Sequence, residues 1–461
     1  MLSFKEVPPL AQSQSELGTK PIGRLLFKLA VPTVIAQLIN VLYNIVDRIY
    51  IGNIPGTGAL ALTGLGVTFP ILMIISAFAA FVGMGAAPLA SMQMGAGKND
   101  KAEKILGTST LLLIILAAVL TTVFMIFKRP LLYLFGASDN IIGYAEDYIT
   151  IYLLGTVFVM FSLGLNAFIS AQGFATTAML SVLIGAVSNI VLDPIFIFVL
   201  NMGVRGAALA TIISQAVSAV WIVWFLLGKK THLRIRKENL RLTPALVGSI
   251  AALGVSPFIM QSTESLVNIV LNRGLQNYGG DLYVGTLTIM TSLLQFIMLP
   301  TQGIAQGAQP IISYNFGAGN AERAKETFRK LLTVTLSFTV VCCLAVVLFP
   351  SVFARIFTPD AQLLGMTAKV MPIYFAGIWA FGIQIACQIT FLSLGQAKIS
   401  LFLALLRKII LLIPLALLLP EFFGVMGIYW AEPIADIAAS CTSLVIFLAK
   451  RKQIFTRAET A

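Results

Sequence analysis

Long apolar runs fill this chain, and short polar stretches punctuate them. Runs of about 20 residues or more, the length a helix needs to cross a bilayer, occur at about 25–50, 62–92, 105–127, 148–172, 176–200, 204–228, 246–272, 283–310, 331–349, 368–395, 399–420 and 424–449. Each must be helical, because backbone amides facing lipid find no water to bond. Runs beyond about 25 residues call for tilt or for turns outside the bilayer. The pattern predicts an all-α integral membrane protein with twelve transmembrane helices and no soluble catalytic domain.

The punctuation repeats. Met94-Gly95-Ala96-Gly97-Lys98-Asn99-Asp100-Lys101-Ala102-Glu103-Lys104 returns as Phe316-Gly317-Ala318-Gly319-Asn320-Ala321-Glu322-Arg323-Ala324-Lys325-Glu326, an offset of 222 residues. Gly85 and Pro88 land on Gly307 and Pro310 at the same offset, and Gly203-Val204-Arg205-Gly206 returns as Gly424-Val425-Met426-Gly427. The helices are therefore expected as two pseudo-symmetric six-helix bundles: an N-terminal lobe at 1–228, a basic cytoplasmic linker at 229–245 and a C-terminal lobe at 246–461. Two related bundles share a cleft, and rocking one against the other opens that cleft to alternate sides of the membrane.

Composition agrees with the pattern. Hydrophobic residues make up 58% of the 461 and charged residues 11%, against roughly 25% charged in soluble domains. The net charge of +12 raises the question of a nucleic-acid partner, and its distribution answers it. With twelve spans, the termini and even-numbered connections carry 22 of the 31 Lys and Arg residues, the other side 7. Such an excess marks the cytoplasmic side. Both termini are expected there, with the basic residues near anionic lipid headgroups and no nucleic-acid role. Residues 1–20 read as a short polar tail and not a cleavable signal.

Soluble-enzyme chemistry finds little support. Cys342, Cys343, Cys387 and Cys441 all lie in apolar runs without metal-ligand spacing. The one histidine, His232, lies in the basic linker. Neither Gly97-Lys98 nor Gly228-Lys229 completes a Walker phosphate loop. The chain reads as a non-enzyme without a cofactor, and any uphill work would draw on an ion gradient.

Attention therefore moves to acids inside the spans: Asp47, Asp193, Glu264, Glu432 and Asp436. A charged side chain at mid-membrane costs about 2.5–3.5 kcal/mol on insertion scales, so it usually faces a cavity or a partner. Gln37, Asn40, Asn44 and Asp47 follow helical spacing on span one, with Tyr43 beside them. Asn189 and Asp193 share a face of span five, and Pro194 follows. Carboxylate, amide and proline-freed carbonyl oxygens suit Na⁺ as a hard cation, while two adjacent carboxylates could instead share a proton. Asp47, Asn189 and Asp193 are thus candidate Na⁺ ligands, with H⁺ as the alternative coupling ion. The repeat supplies a control: Pro194 aligns with Pro414, but Asp193 aligns with Ile413 and Asn189 with Ile409. The fold tolerates apolar residues there, which favours a functional role for the polar pair.

The second half has its own set. Gln261, Glu264, Asn268 and Asn272 form a stripe on span seven, where Glu264 aligns with Asn40 and Asn268 with Asn44. Glu264, Asn268, Asn40, Asn44 and Gln261 are the candidates for a substrate site or second coupling site. Glu432 and Asp436 share a face of span twelve, and Arg407 or Lys408 on span eleven could neutralise them in a structural ion pair. Glu432 aligns with Thr211. Gln302, Gln306 and Gln309 on span eight and Gln384 and Gln388 on span ten are weaker signals, equally suited to bonds between helices.

On these residues the chain resembles the multidrug and toxic compound extrusion (MATE) family over nearly its whole length. Asn44-Ile45-Val46-Asp47-Arg48-Ile49-Tyr50-Ile51-Gly52 looks like the family's first helix with its acid, and Asn189-Ile190-Val191-Leu192-Asp193-Pro194 like its fifth-helix cation motif. The resemblance implies an N-lobe cation and proton network of Asp47, Asn189, Asp193 and Thr211, with Tyr43 adjacent. Glu264 matches a seventh-helix acid that one branch uses in a C-lobe cation site. The tenth-helix acid of that branch is missing; Gln384 or Gln388 is the nearest polar residue. The expectation is an antiporter in a bacterial inner membrane, acting as a monomer. It would export amphipathic cationic drugs by alternating access in exchange for Na⁺ or H⁺, with span one bending near Pro32. The main rival is a flippase of the same superfamily for lipids or lipid-linked oligosaccharides.

Overall fold

The twelve apolar runs fold as helices, and most run well past the runs that announced them. The structure, a computed structural model, describes residues 16–460; the polar tail expected at 1–20 falls mostly outside that range. A short helix at Glu16–Thr19 precedes span one, Ile22–Gly52. Spans two and three are Gly58–Gly95 and Asn99–Leu134. Span two, at 38 residues, is about 57 Å long, nearly twice the hydrocarbon thickness, so its end turns lie outside the bilayer. Span four is bent by 61° between Ile142–Leu154 and Thr156–Ala171. Span five, Ala175–Pro194, continues as a π-helical turn at Ile195–Val199, and span six is Gly203–Leu227.

The second half repeats the order. Spans seven, eight and nine are Pro244–Gly279, Asp281–Gly317 and Ala321–Leu348. Span ten is Ala361–Tyr374 and Ile378–Ser393, joined by a 3₁₀ turn. Span eleven is Ala397–Leu405 and Ile413–Phe423 with a π-helical stretch, Leu406–Leu412, between them, and span twelve is Val425–Thr460. Among the described residues, eleven helices are long and apolar enough to cross a membrane, and the bent span four makes twelve. Pro194 and Pro414 each adjoin a π-helical turn, although the turn follows the first and precedes the second. Span one passes through Pro32 without a break.

The two copies of the Gly-Ala-Gly loop close their helices in the same way. Gly97 and Gly319 take φ of +72° and +76°, a conformation open to glycine and strained for most residues. The next amides, of Lys98 and Asn320, then reach back to Gln93 O and Asn315 O, each at 2.8 Å, as in a glycine-terminated helix. Each loop ends one helix and starts the next.

Burial divides into two cores. One gathers Ile71, Ile149, Phe168 and Ile222 of the first half; the other gathers Ile311, Phe375, Phe391 and Tyr429 of the second. The division crosses over at one end. Leu25, Leu26 and Leu29 at the start of span one belong to the second-half core, and Ile250 at the start of span seven belongs to the first-half core. The bundles are packed backbone to backbone there. A Cβ added at Gly95 would lie 1.9 Å from Tyr314 O, and one at Gly317 1.9 Å from Met92 O.

The linker and the first short helix cap this closed end. Gln172 Oε1 accepts hydrogen bonds from the Thr231 hydroxyl and the amides of His232 and Leu233, at 2.8–2.9 Å. Arg236 pairs with Glu103 at 2.7 Å. His232 stacks on Phe174 at 5.3 Å, and its partial burial lowers its pKa below the ordinary 6.5. The linker is thereby fixed to the first half. Conversely, the Leu17 carbonyl accepts from Asn315 at 2.9 Å and the Lys20 carbonyl from Arg323 at 2.7 Å, both in the second half.

Toward the other end the spans present polar groups. Asn44, Glu264, Asn268 and Asn272 are exposed within apolar helices. Lipid would not accept a carboxylate and three amides, so this exposed surface is the side of spans one and seven suited to the cleft expected between the bundles. Gln37 reaches across to Gln306 at 3.3 Å near the cleft floor.

Candidate functional site

Spans one and five pack side by side in the first bundle, and this brings Asp47 against Asp193. Their carboxyl groups lie within hydrogen-bonding range of each other. Both are buried, Asp193 completely at 0% exposure. Asn189, one turn before Asp193, donates from Nδ2 to Asp193 Oδ1 at 3.2 Å. This orients the amide so that its oxygen is free. Among the described residues, Asp47 Oδ1, Asn189 Oδ1 and Asp193 Oδ2 are all buried without a hydrogen-bond donor. Buried acceptors normally have partners. Here three oxygens are left over in one place, and two belong to carboxylates that face each other.

The surrounding groups are phenolic. Tyr43, four residues before Asp47 and half-buried, lies close enough to feel its charge. Tyr148 on span four lies within hydrogen-bonding range of Thr211 on span six and within electrostatic reach of Asp47. Tyr152 stacks on Tyr148 at 6.2 Å. The structure thus gathers Tyr43, Asp47, Asn189, Asp193 and Thr211, and adds Tyr148 and Tyr152, which the sequence reading passed over. Their i, i+4 spacing on one face of an apolar span was the available signal. Arg48, next to the acid, points elsewhere and sits over the Phe69 ring at 5.8 Å.

The set of oxygens fits a small hard cation or a proton. Na⁺ takes carboxylate and amide oxygens, by analogy with other hard cations. A proton between two carboxyls converts one acceptor into a donor. Among the described residues no cluster of three or more His, Cys, Asp or Glu side chains could hold a metal; the oxygens gathered here are those of Asp47, Asp193 and the amide of Asn189.

The candidates for a substrate or second coupling site lie on spans one and seven. Asn44 donates to the Asn40 carbonyl of its own helix at 2.6 Å. Gln261 is half-buried, and its Oε1 has no partner among the described residues. Asn268 and Glu264 face the cleft. Of the two bases expected to neutralise the acids of span twelve, Arg407 is the one that does so. Arg407 takes both acids of span twelve, Glu432 at 2.7 Å and Asp436 at 2.6 Å, with its guanidinium 5.0 Å from the Phe381 ring. Lys408 serves neither; it bonds Glu264 and the Met260 carbonyl on span seven. Neighbouring residues on a helix point in different directions, so the two bases serve different helices. Gln388 is a clasp between helices, donating to Ser256 Oγ and Ser400 O, each at 2.9 Å.

Known proteins with the same build place the chain. The MatE family model matches residues 32–195 and again 257–418, one match in each half. The multidrug export protein MepA of Staphylococcus haemolyticus is 26% identical over 434 residues, 94% of this chain and 95% of its own length. A crystal structure of MATE in the bent conformation superposes with a TM-score of 0.90 at 23% identity, covering 97% of this chain and 99% of that one. Another solved chain, called protein A, is 35% identical with a TM-score of 0.88 over 96% of this chain and 99% of its own. With both halves matched, the chain belongs to the MatE family, the multidrug and toxic compound extrusion transporters.

Proposed function

We propose that this protein is a secondary active antiporter that exports amphipathic organic cations in exchange for Na⁺ or H⁺. The observation that carries the reading is the meeting of Asp47 and Asp193, where one oxygen of each and the amide oxygen of Asn189 are buried without a donor. Two buried carboxylates without a cation or proton between them repel, and each is costly to desolvate. Binding of one positive charge relieves both penalties. If the bundles rearrange, spans one and five shift relative to each other and the affinity for that charge changes. An ion that binds one conformation better than another biases the equilibrium between them. This is all that coupling requires.

The working cycle follows. With the cleft open at the end away from the linker, the ion enters at Asp47 and Asp193 and drug leaves the cleft. The bundles then separate at the linker end, release the ion and accept new cargo. Lys and Arg distribution places the linker end and both termini in the cytoplasm, and the membrane would be a bacterial inner membrane. MepA is named as a multidrug export protein, which supports export as the direction. Apolar walls supplied by a chain with 31 Phe and 15 Met suit loose binding by contact area and cation–π attraction. A flippase for anionic lipid-linked cargo would want free basic groups in the cleft. Arg407 and Lys408 are instead committed to carboxylates.

The test is efflux of a fluorescent cationic dye from proteoliposomes, with Na⁺ and pH gradients imposed separately. One gradient should accelerate efflux and its reversal should slow it. Efflux indifferent to both would reject antiport.

A further inference from the structure

The second bundle contains a charge cluster whose arithmetic is incomplete. Span seven supplies Glu264, span eleven Arg407 and Lys408, and span twelve Glu432 and Asp436. Three acids face two bases. Arg407 is the structural member. It is buried, holds both acids of span twelve at 2.6–2.7 Å and rests on Phe381. Lys408 and Glu264 are differently placed. The Lys408 side chain is only 10% exposed, whereas that of Glu264 is 62% exposed, on the cleft surface of an apolar helix. Lys408 has a second hold on span seven, the Met260 carbonyl at 2.7 Å, and is close enough to Glu432 to be attracted by it. It can release Glu264 and remain partnered. Glu264 has no such alternative among its described bonds.

We propose that Lys408 is an internal stand-in for the positive charge of the substrate. In the empty cleft its ammonium occupies Glu264 from behind. A monocation arriving from the cleft takes the exposed face of that carboxylate, and Lys408 falls back on Met260 O and Glu432. The site then holds three positive and three negative charges, and this balance selects ligands with one positive charge on an apolar body. Lys408 is the specificity-determining residue, since the strength of its hold on Glu264 sets how readily the cation displaces it. The inference rests on the efflux reading given above and names the substrate charge that the same cleft would take.

The test compares the binding of tetraphenylphosphonium, a lipophilic monocation, and of neutral triphenylphosphine oxide to purified full-length protein. Lys408→Gln removes the competitor and should tighten tetraphenylphosphonium binding about tenfold, with the neutral compound unchanged. Glu264→Gln should weaken only the cation. The double variant should behave as Glu264→Gln alone. Lys408→Arg, whose fork grips a carboxylate more firmly, should weaken the cation and spare the neutral compound; it also serves if Lys408→Gln does not fold. Unchanged cation affinity in either Lys408 variant, or equal effects on the two compounds, would overturn the proposal. Wild-type efflux of tetraphenylphosphonium under an imposed gradient is measured separately. Its failure would count against antiport, while the binding comparison would still decide the role of Lys408.

Discussion

Asp47 and Asp193 are acceptors that meet with nothing to donate between them. Asp193→Asn places a donor amide in that gap and removes the second charge, so the pocket no longer gains from a cation. Gradient-driven efflux by this variant should fall at least about tenfold, the scale of losing about 1.4 kcal/mol of differential binding. Membrane insertion should be normal. Normal efflux would remove Asp193 from the coupling role, and Asp47→Asn should behave alike. Arg407 offers a contrasting case, where the effect falls on stability. Removing one partner of a buried ion pair costs about 3–5 kcal/mol because the other charge stays behind. Arg407→Met leaves Glu432 and Asp436 buried and uncompensated, so thermal unfolding in detergent should occur at a clearly lower temperature. The triple variant Arg407→Met, Glu432→Gln, Asp436→Asn should recover most of the loss. An unchanged melting temperature in the single variant would mean that the cluster is hydrated.

At the scale of elements, glycine sets how closely the bundles approach. Gly95 and Gly317 bring the ends of spans two and eight together with no room for a side chain. Gly317→Val should wedge the linker end open. A cysteine introduced at Met92 in a background without the native cysteines should then react faster with a water-soluble maleimide. Equal labelling with and without the valine would show that the helices absorb it locally. The linker is an element with its own pH response. Burial against Phe174 lowers the His232 pKa, so near pH 6.5 the unfolded segment binds more protons than the packed one, and packing is stronger at higher pH. Protection of the 229–235 amides from hydrogen exchange should decline, beyond the intrinsic rate change, as pH falls through about 6.5. His232→Gln should remove that component, and a decline of equal size in the variant would exclude the imidazole.

For the whole molecule, what matters is that the two cores exchange their first turns. Leu25, Leu26 and Leu29 are held by the second core and Ile250 by the first, so opening the linker end must break contacts in both. The short helix at Glu16–Thr19 adds another tie, since Asn315 and Arg323 hold its carbonyl groups and that of Lys20. The described state, closed at this end, is therefore well supported by packing. Its conversion needs a compensating gain, which the proposal assigns to ion release and substrate entry.

The sequence by itself determined the spans, the repeat and the identity of the candidate acids. These are local matters: lipid demands continuous apolar helix, and each acid that survives in such a helix stands out against its own neighbours. The tertiary structure decided which partners meet. That Arg407 serves span twelve while Lys408 serves Glu264 depends on the rotation of span eleven, and hydropathy carries no trace of rotation when every face is apolar. Tyr148 and Tyr152 joined the site only because span four packs against span six, which sets Tyr148 beside Thr211 and within electrostatic reach of Asp47. The closed linker end likewise arises from close approach between glycines more than 200 residues apart, a contact that no single segment encodes.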